Sequence, residues 1–214
     1  MNQNTQAAER PRGRPAASDQ QGLKTQILDT AEDLFAENGY AAISIRRIAD
    51  KAGVNPALVH YYFGNKKSLL QQVMERSLEP LGRAIAAMKK GPEAPPDVIA
   101  RLLLSMVARH PNIPRLLTRE VLLPGGEMQQ YFTENMAPHL GGALPALLSR
   151  EKSAGRIQPD SDPAILAVLI MAVCVFPFIA RALAEPVIGV RFDDEGIELL
   201  SKQITQLLKR GTML

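Results

Sequence analysis

Of the 214 residues only one is cysteine, Cys174, which excludes an internal disulfide framework. Tryptophan is absent and aromatic residues make up 5% of the chain. Histidine occurs three times, as His60, His110 and His139, too widely scattered for metal-ligand spacing. There is no nucleophile elbow, no phosphate-binding glycine loop and no paired-cysteine motif, so neither a catalytic residue nor a cofactor nor a metal is expected. The first twenty residues are polar, carry Arg10, Arg12 and Arg14 and contain no apolar stretch of the secretory kind; a cytoplasmic setting is the expectation. A single apolar run, Ala164 to Ala180, reaches 17 residues. It borders on membrane-spanning length, but Pro177 interrupts it and no second run could partner it.

What is present is a helical pattern throughout. Hydrophobic residues form 46% and charged residues 22%, the balance of a globular chain able to bury a sizeable core. Ile27, Leu28, Ala31, Leu34 and Phe35 lie on one face of a helix, closed by Asn38-Gly39. Ser44 caps a second helix that turns Ile45, Ile48, Ala49 and Ala52 inward, and Gly53 stops it. Asn55-Pro56 opens a short third helix, ended at Gly64-Asn65. Asn65 then caps a fourth, striped by Leu69, Leu70, Val73, Met74, Leu78 and Leu81, in which Pro80 is expected to kink or divide the rod. Further amphipathic segments follow, with bends expected between Met128 and Ser153. Asp162-Pro163 starts the most apolar helix. Asp193 or Asp194 starts the last, with Ile197, Leu200, Ile204, Leu207 and Leu208 on one side. No period-two run bounded by hairpin turns occurs. The fold class is all-α.

Charge and aromatics gather in one place. Residues 44–67 hold five cations (Arg46, Arg47, Lys51, Lys66, Lys67) against Asp50 alone, a net +4, whereas the whole chain carries +3. A basic patch of this kind suits an anionic partner. Within it Ile48, Ala52, Val54, Val59 and Tyr62 fall where two short crossing helices face each other. Ala49 is small at the crossing and Gly53 supplies the turn. That is helix-turn-helix spacing, in which the second helix can enter a DNA major groove. Ser44 stands at the first helix's N-terminus, where phosphate is favoured, and Arg46 in its first turn can reach a phosphate or a guanine edge. Asn55, Pro56 and Ala57 open the recognition helix, with His60 one turn on. Val59 and Phe63 are assigned to the core.

"SIRRIADKAGVNPALVHYYFGNKKSLL", with the preceding "ILDTAEDLFAENGYAAIS", resembles the DNA-binding head of the TetR family of bacterial transcription regulators. The resemblance covers residues 21–81. It implies a three-helix head on a larger helical body that binds an effector and dimerises through its last two long helices. It further implies that Tyr61 and Tyr62 match the family's backbone-contacting aromatic pair, and that Lys66 serves phosphate at the next helix's start. The expected division is a basic arm at 1–20, the head at 21–81 and the body at 82–214. In the arm, "PRGRP" offers Arg12 and Arg14 to a narrow A·T minor groove. The expected function is a homodimeric repressor of a near-palindromic operator, released by a mostly apolar small effector. Met106, Met128, Met136 and Phe176 are candidate pocket lining, and Arg119, Glu120 and His139 candidate polar contacts. The alternative is a helical enzyme or ligand carrier with an incidental helix-turn-helix.

Overall fold

The computed structural model describes residues 17–91 and 93–212. The described residues form helices with no β-strand. Residues 1–16, with Arg12 and Arg14, lie outside them.

Three helices build the head. α1 (Ala17–Asn38) buries the expected stripe of Ile27, Leu28, Ala31, Leu34 and Phe35. It ends at Gly39, whose φ of 82° places the N–H 2.8 Å from the Phe35 carbonyl, a left-handed stop that a side chain would strain. α2 (Ile45–Lys51) begins at Ser44, whose Oγ accepts from the Arg47 N–H at 3.1 Å. α3 (Pro56–Phe63) begins at Asn55, whose Oδ1 accepts from the Ala57 N–H at 2.9 Å. Such caps each stabilise a helix by about 1 kcal/mol, which matters for helices of two turns.

α4 (Lys66–Lys90) is capped by Asn65 and continues through Pro80, so the proline does not divide it in two. Pro80 is exposed, so the carbonyl left without its helical donor lies on the side where water can serve it. Opposite, Ser77, Leu78, Leu81 and Ile85 are buried. Leu69, Leu70, Val73 and Met74 belong to the head core, whereas Leu78, Leu81 and Ile85 belong to the body core. The change-over therefore lies inside one continuous helix, and no linker marks residue 81. A movement of the body against α4 reaches the head directly.

The body continues with α5 (Pro96–Arg109) and α6 (Asn112–Leu117), which widens into a π-helical turn, Thr118–Leu122. The expected bends follow. α7 (Gln129–Tyr131) passes into a π turn and two 3-10 turns before α8 (Leu144–Ser153). α9 (Pro163–Ile179) is started by Asp162, whose Oδ1 accepts from two backbone N–H groups. A short α10 (Arg181–Leu183) leads through another π turn to α11 (Asp194–Thr212), where Asp193 accepts from the Gly196 N–H.

α9 is two-faced. Leu166, Ala167, Ile170, Cys174 and Phe178 pack into the body, while Ile165, Val168, Leu169 and Phe176 are exposed. α11 buries Ile204 and Leu208 but exposes Leu199 and Leu207, so Leu207 is not on the inward side expected of it. No single described helix is long and apolar enough to cross a membrane. α9 and the segment after it pass that test only as a pair, and they are bent by 52°.

Candidate nucleic-acid interface

The helix-turn-helix is built on a dry seam. Ile48, Ala49, Ala52, Val59 and Phe63 are all buried, as their spacing requires. At the turn, Gly53 adopts φ 65°, and the Val54 N–H reaches the Ala49 carbonyl at 2.9 Å. From α1, Gln26 donates its amide to the Ala52 carbonyl at 2.9 Å, satisfying the end of α2. With these residues fixed inward, the opposite side of α2 and α3 has only solvent to face. Ser44, Arg46, Arg47, Asn55, Ala57, His60 and Tyr61 are exposed there, and Pro56 and Tyr62 are half-buried.

The aromatic cluster divides by depth. Phe63 is buried, Tyr62 packs edge-on to it at 6.2 Å, and Tyr61 stands edge-on to Tyr62 at 5.3 Å with 69% of its surface free. His60 Nδ1 lies 2.8 Å from the Gly64 carbonyl. A carbonyl only accepts, so Nδ1 is the donor in this contact. The Ser44 and Asn55 side-chain oxygens are already engaged as caps. At the start of α3 no N–H is left over for an anion, because Pro56 has none and those of Ala57 and Leu58 are bonded to Asn55.

Lys66 requires a correction. Its ammonium donates to the Tyr40 and Ile43 carbonyls, 2.9 Å each, and sits 3.9 Å from the centre of the Tyr40 ring. The loop between α1 and α2 folds over the start of α4, and Lys66 braces it from beneath instead of standing free for phosphate. Its neighbour Lys67 is exposed and paired with Glu127 at 2.9 Å; the bonded carboxylate raises the lysine's pKa. Arg47, absent from the expected contacts, is exposed beside Arg46 and enlarges the basic face.

The expected effector residues do not converge. Met106 is sealed in the body core and Met128 in the head core, while Phe176 is 63% exposed on α9. Arg119 and Glu120 bond to the head and share no cavity with the other expected residues. Arg119 donates to the Ala36 and Glu37 carbonyls, at 3.3 and 2.7 Å, and Glu120 accepts from the Tyr40 N–H at 2.8 Å. The cause is the π-helical turn, which aims both side chains back across the end of α1. Only Met136 and His139 share a cavity, a groove of 360 Å³ beside α4 with Leu78, Gly82, Ala86 and Leu140. Among the described residues, no three His, Cys, Asp or Glu side chains are grouped to hold a metal.

A family model described as bacterial regulatory proteins, tetR family, matches residues 27–73, the seam just described. A second, described as the tetracyclin repressor-like C-terminal domain, matches residues 97–207. The chain belongs to the TetR family. Among TetR-type relatives, the HTH-type transcriptional repressor Rv3405c of Mycobacterium tuberculosis is 40% identical over 121 residues, 56% of this chain and 57% of that protein. The alignment thus spans little more than half the relative's length. Among solved structures, the ketosteroid transcriptional regulator KstR2 of Mycobacterium tuberculosis superposes with a TM-score of 0.68 at 16% identity, covering 89% of this chain and 95% of that one. A SmeT–triclosan complex gives 0.67 at 18% identity, covering 90% and 92%. At such identities the likeness establishes the TetR fold, head and body together.

Proposed function

We propose that this protein is a cytoplasmic, homodimeric transcription regulator that represses by occupying a near-palindromic DNA operator and is released by a small molecule. One observation carries the reading. With Val59 and Phe63 locked inside, α3 presents Asn55, Ala57, His60 and Tyr61 to solvent beside Arg46 and Arg47. In a major groove the first turn of α3 and Arg46 would meet base edges, while Tyr61, Tyr62 and Arg47 flank the phosphates. Repression is supported by the relative named a repressor.

One recognition helix of two turns touches few base pairs, and specificity calls for two. The exposed faces of α9 and α11, with Val168, Leu169, Phe176, Leu199 and Leu207, suit a second copy packed about a two-fold axis. That placement also explains α9's apolar run without a membrane. Arg12 and Arg14 of the arm would follow the adjacent minor groove.

For the effector, the groove beside α4 is the supported place. Its wall of Leu78, Gly82, Ala86 and Leu140 is apolar, with Met136 adaptable and His139 at hand for a polar group. One structural neighbour is described as a complex with triclosan, and another as a ketosteroid transcriptional regulator. A ligand there presses on the helix shared by both cores, and shifts the head if it favours the splayed dimer.

The test is sedimentation of the purified protein combined with fluorescence anisotropy on duplex DNA over a salt series. A dimer whose binding weakens linearly in log salt supports the reading. A monomer with no measurable affinity for duplex DNA favours the carrier or enzyme.

A further inference from the structure

A second recess lies where α1, α6 and α9 meet, with a volume of 270 Å³ and a lining of Ala36, Glu37, Arg115, Thr118, Arg119 and Ile179. Arg115 and Arg119 are four residues apart, a spacing that brings side chains to one helical face and makes like charges repel. Arg115 is exposed and makes no hydrogen bond or ion pair among the described residues. Arg119 uses only Nη1, toward Ala36 and Glu37, leaving its other nitrogens for a ligand. Thr118 is spent on the Pro114 carbonyl, at 2.8 Å. Ala36 and Ile179 supply an apolar wall. Glu37 also lines the recess, so two basic residues and one acidic residue meet there.

We propose that this recess binds a small carboxylate with a short apolar body, and that it is a site separate from the groove beside α4. Planar guanidiniums match a carboxylate through paired N–H donors, and an anion between them relieves their mutual repulsion. The volume suits a ligand of a few carbons, below the range typical of drug-sized pockets. Occupation has a consequence for the head. Arg119 at present caps the last carbonyls of α1, the negative end of that helix. A carboxylate is the stronger acceptor and draws the guanidinium away from them. The α1–α2 loop, which the same turn holds through Glu120 and Tyr40, then loses half its clasp.

Calorimetry of the full chain tests the site without DNA, using benzoate and hexanoate as probes and benzyl alcohol, hexanol and inorganic phosphate as controls. The two carboxylates bind and the alcohols do not. Arg115→Gln, which leaves both Arg119 bonds in place, weakens binding at least tenfold with an unchanged melting temperature. Glu37→Gln strengthens it. Equal binding of acid and alcohol, no binding of either carboxylate, or an unaltered affinity in Arg115→Gln overturns the site. Phosphate binding as tightly as hexanoate overturns the apolar part. In a separate arm resting on the DNA-binding reading, hexanoate lowers operator affinity of the wild type and not of Arg115→Gln. Binding without that effect removes the unclasping step and leaves the site standing. Absence of any operator binding bears on the proposed function alone.

Discussion

Lys66→Ala separates two roles that a lysine at the start of α4 can play. The ammonium holds two part-buried carbonyls, those of Tyr40 and Ile43, and lies on the Tyr40 ring. Hydrogen bonds to a charged group contribute about 1.5–3 kcal/mol each when intact, and water replaces part of that at a half-exposed site. A net loss of about 2 kcal/mol is expected, a fall in melting temperature of roughly 4–8 °C for a chain of this size. Urea unfolding at fixed protomer concentration gives the stability, since a dimer's stability depends on concentration. Anisotropy over a salt series then gives the number of phosphates neutralised. A braced loop predicts lower stability with an unchanged salt slope at temperatures where the head is folded. Stability within about 0.5 kcal/mol of wild type, together with a slope reduced by about one unit, would refute the bracing role and return Lys66 to the phosphates.

Arg46→Ala is expected to cost about 1–3 kcal/mol of operator affinity and to relax one base position; a loss uniform across sequences, measured by competition, assigns it to the backbone. Phe176→Asp places a charge on the exposed face of α9 and should yield a folded monomer by sedimentation, and a dimer of normal strength would remove that face from the interface. Cys174 is buried, donates to the Ala100 carbonyl at 3.7 Å, and burial pushes its pKa up to about 12. It should resist thiol reagents at pH 8 until denaturant is added, and rapid native labelling would contradict this. Burial pushes the Glu151 carboxyl up, but the Arg156 hydrogen bond at 2.7 Å, the Ala94 N–H at 2.8 Å and the nearby guanidinium charges outweigh it, and its pKa falls below the ordinary value. Its contribution is therefore present above the unfolded carboxylate pKa and lost as pH falls through the folded one. Glu151→Gln should be less stable than wild type at pH 7, with the gap closing in acid; a pH-independent gap would contradict the linkage.

The head was legible because its constraints are local. Ser44, Asn55 and Asn65 cap the helices that follow them, and Gly39, Gly53 and Gly64 adopt the positive φ that only glycine takes readily. The body helices were found by the same signals, Asp162-Pro163 and Asp193 among them. Contacts between distant residues were not legible. Arg119 and Glu120 carry the composition of polar pocket groups, yet from the π turn they bond to the end of α1 and the loop after it, some eighty residues earlier in the chain. Met106 and Met128 are flexible apolar residues that suit a pocket or a core equally, and packing decided for the core. Lys66 has the position of a phosphate ligand, but an adjacent loop supplied carbonyls first. Pro80 shows the limit of a local rule, because the helix it was expected to divide stays continuous where it enters two buried cores.

The most direct measurement is selection of bound duplexes from a random pool, followed by footprinting of the winner. Two recognition helices in a two-fold dimer predict a near-palindrome protected as two half-sites centred about one helical turn apart or slightly more, with affinity falling linearly in log salt. A pool that yields no enriched sequence, or a protein that protects one half-site as a monomer, would contradict the account.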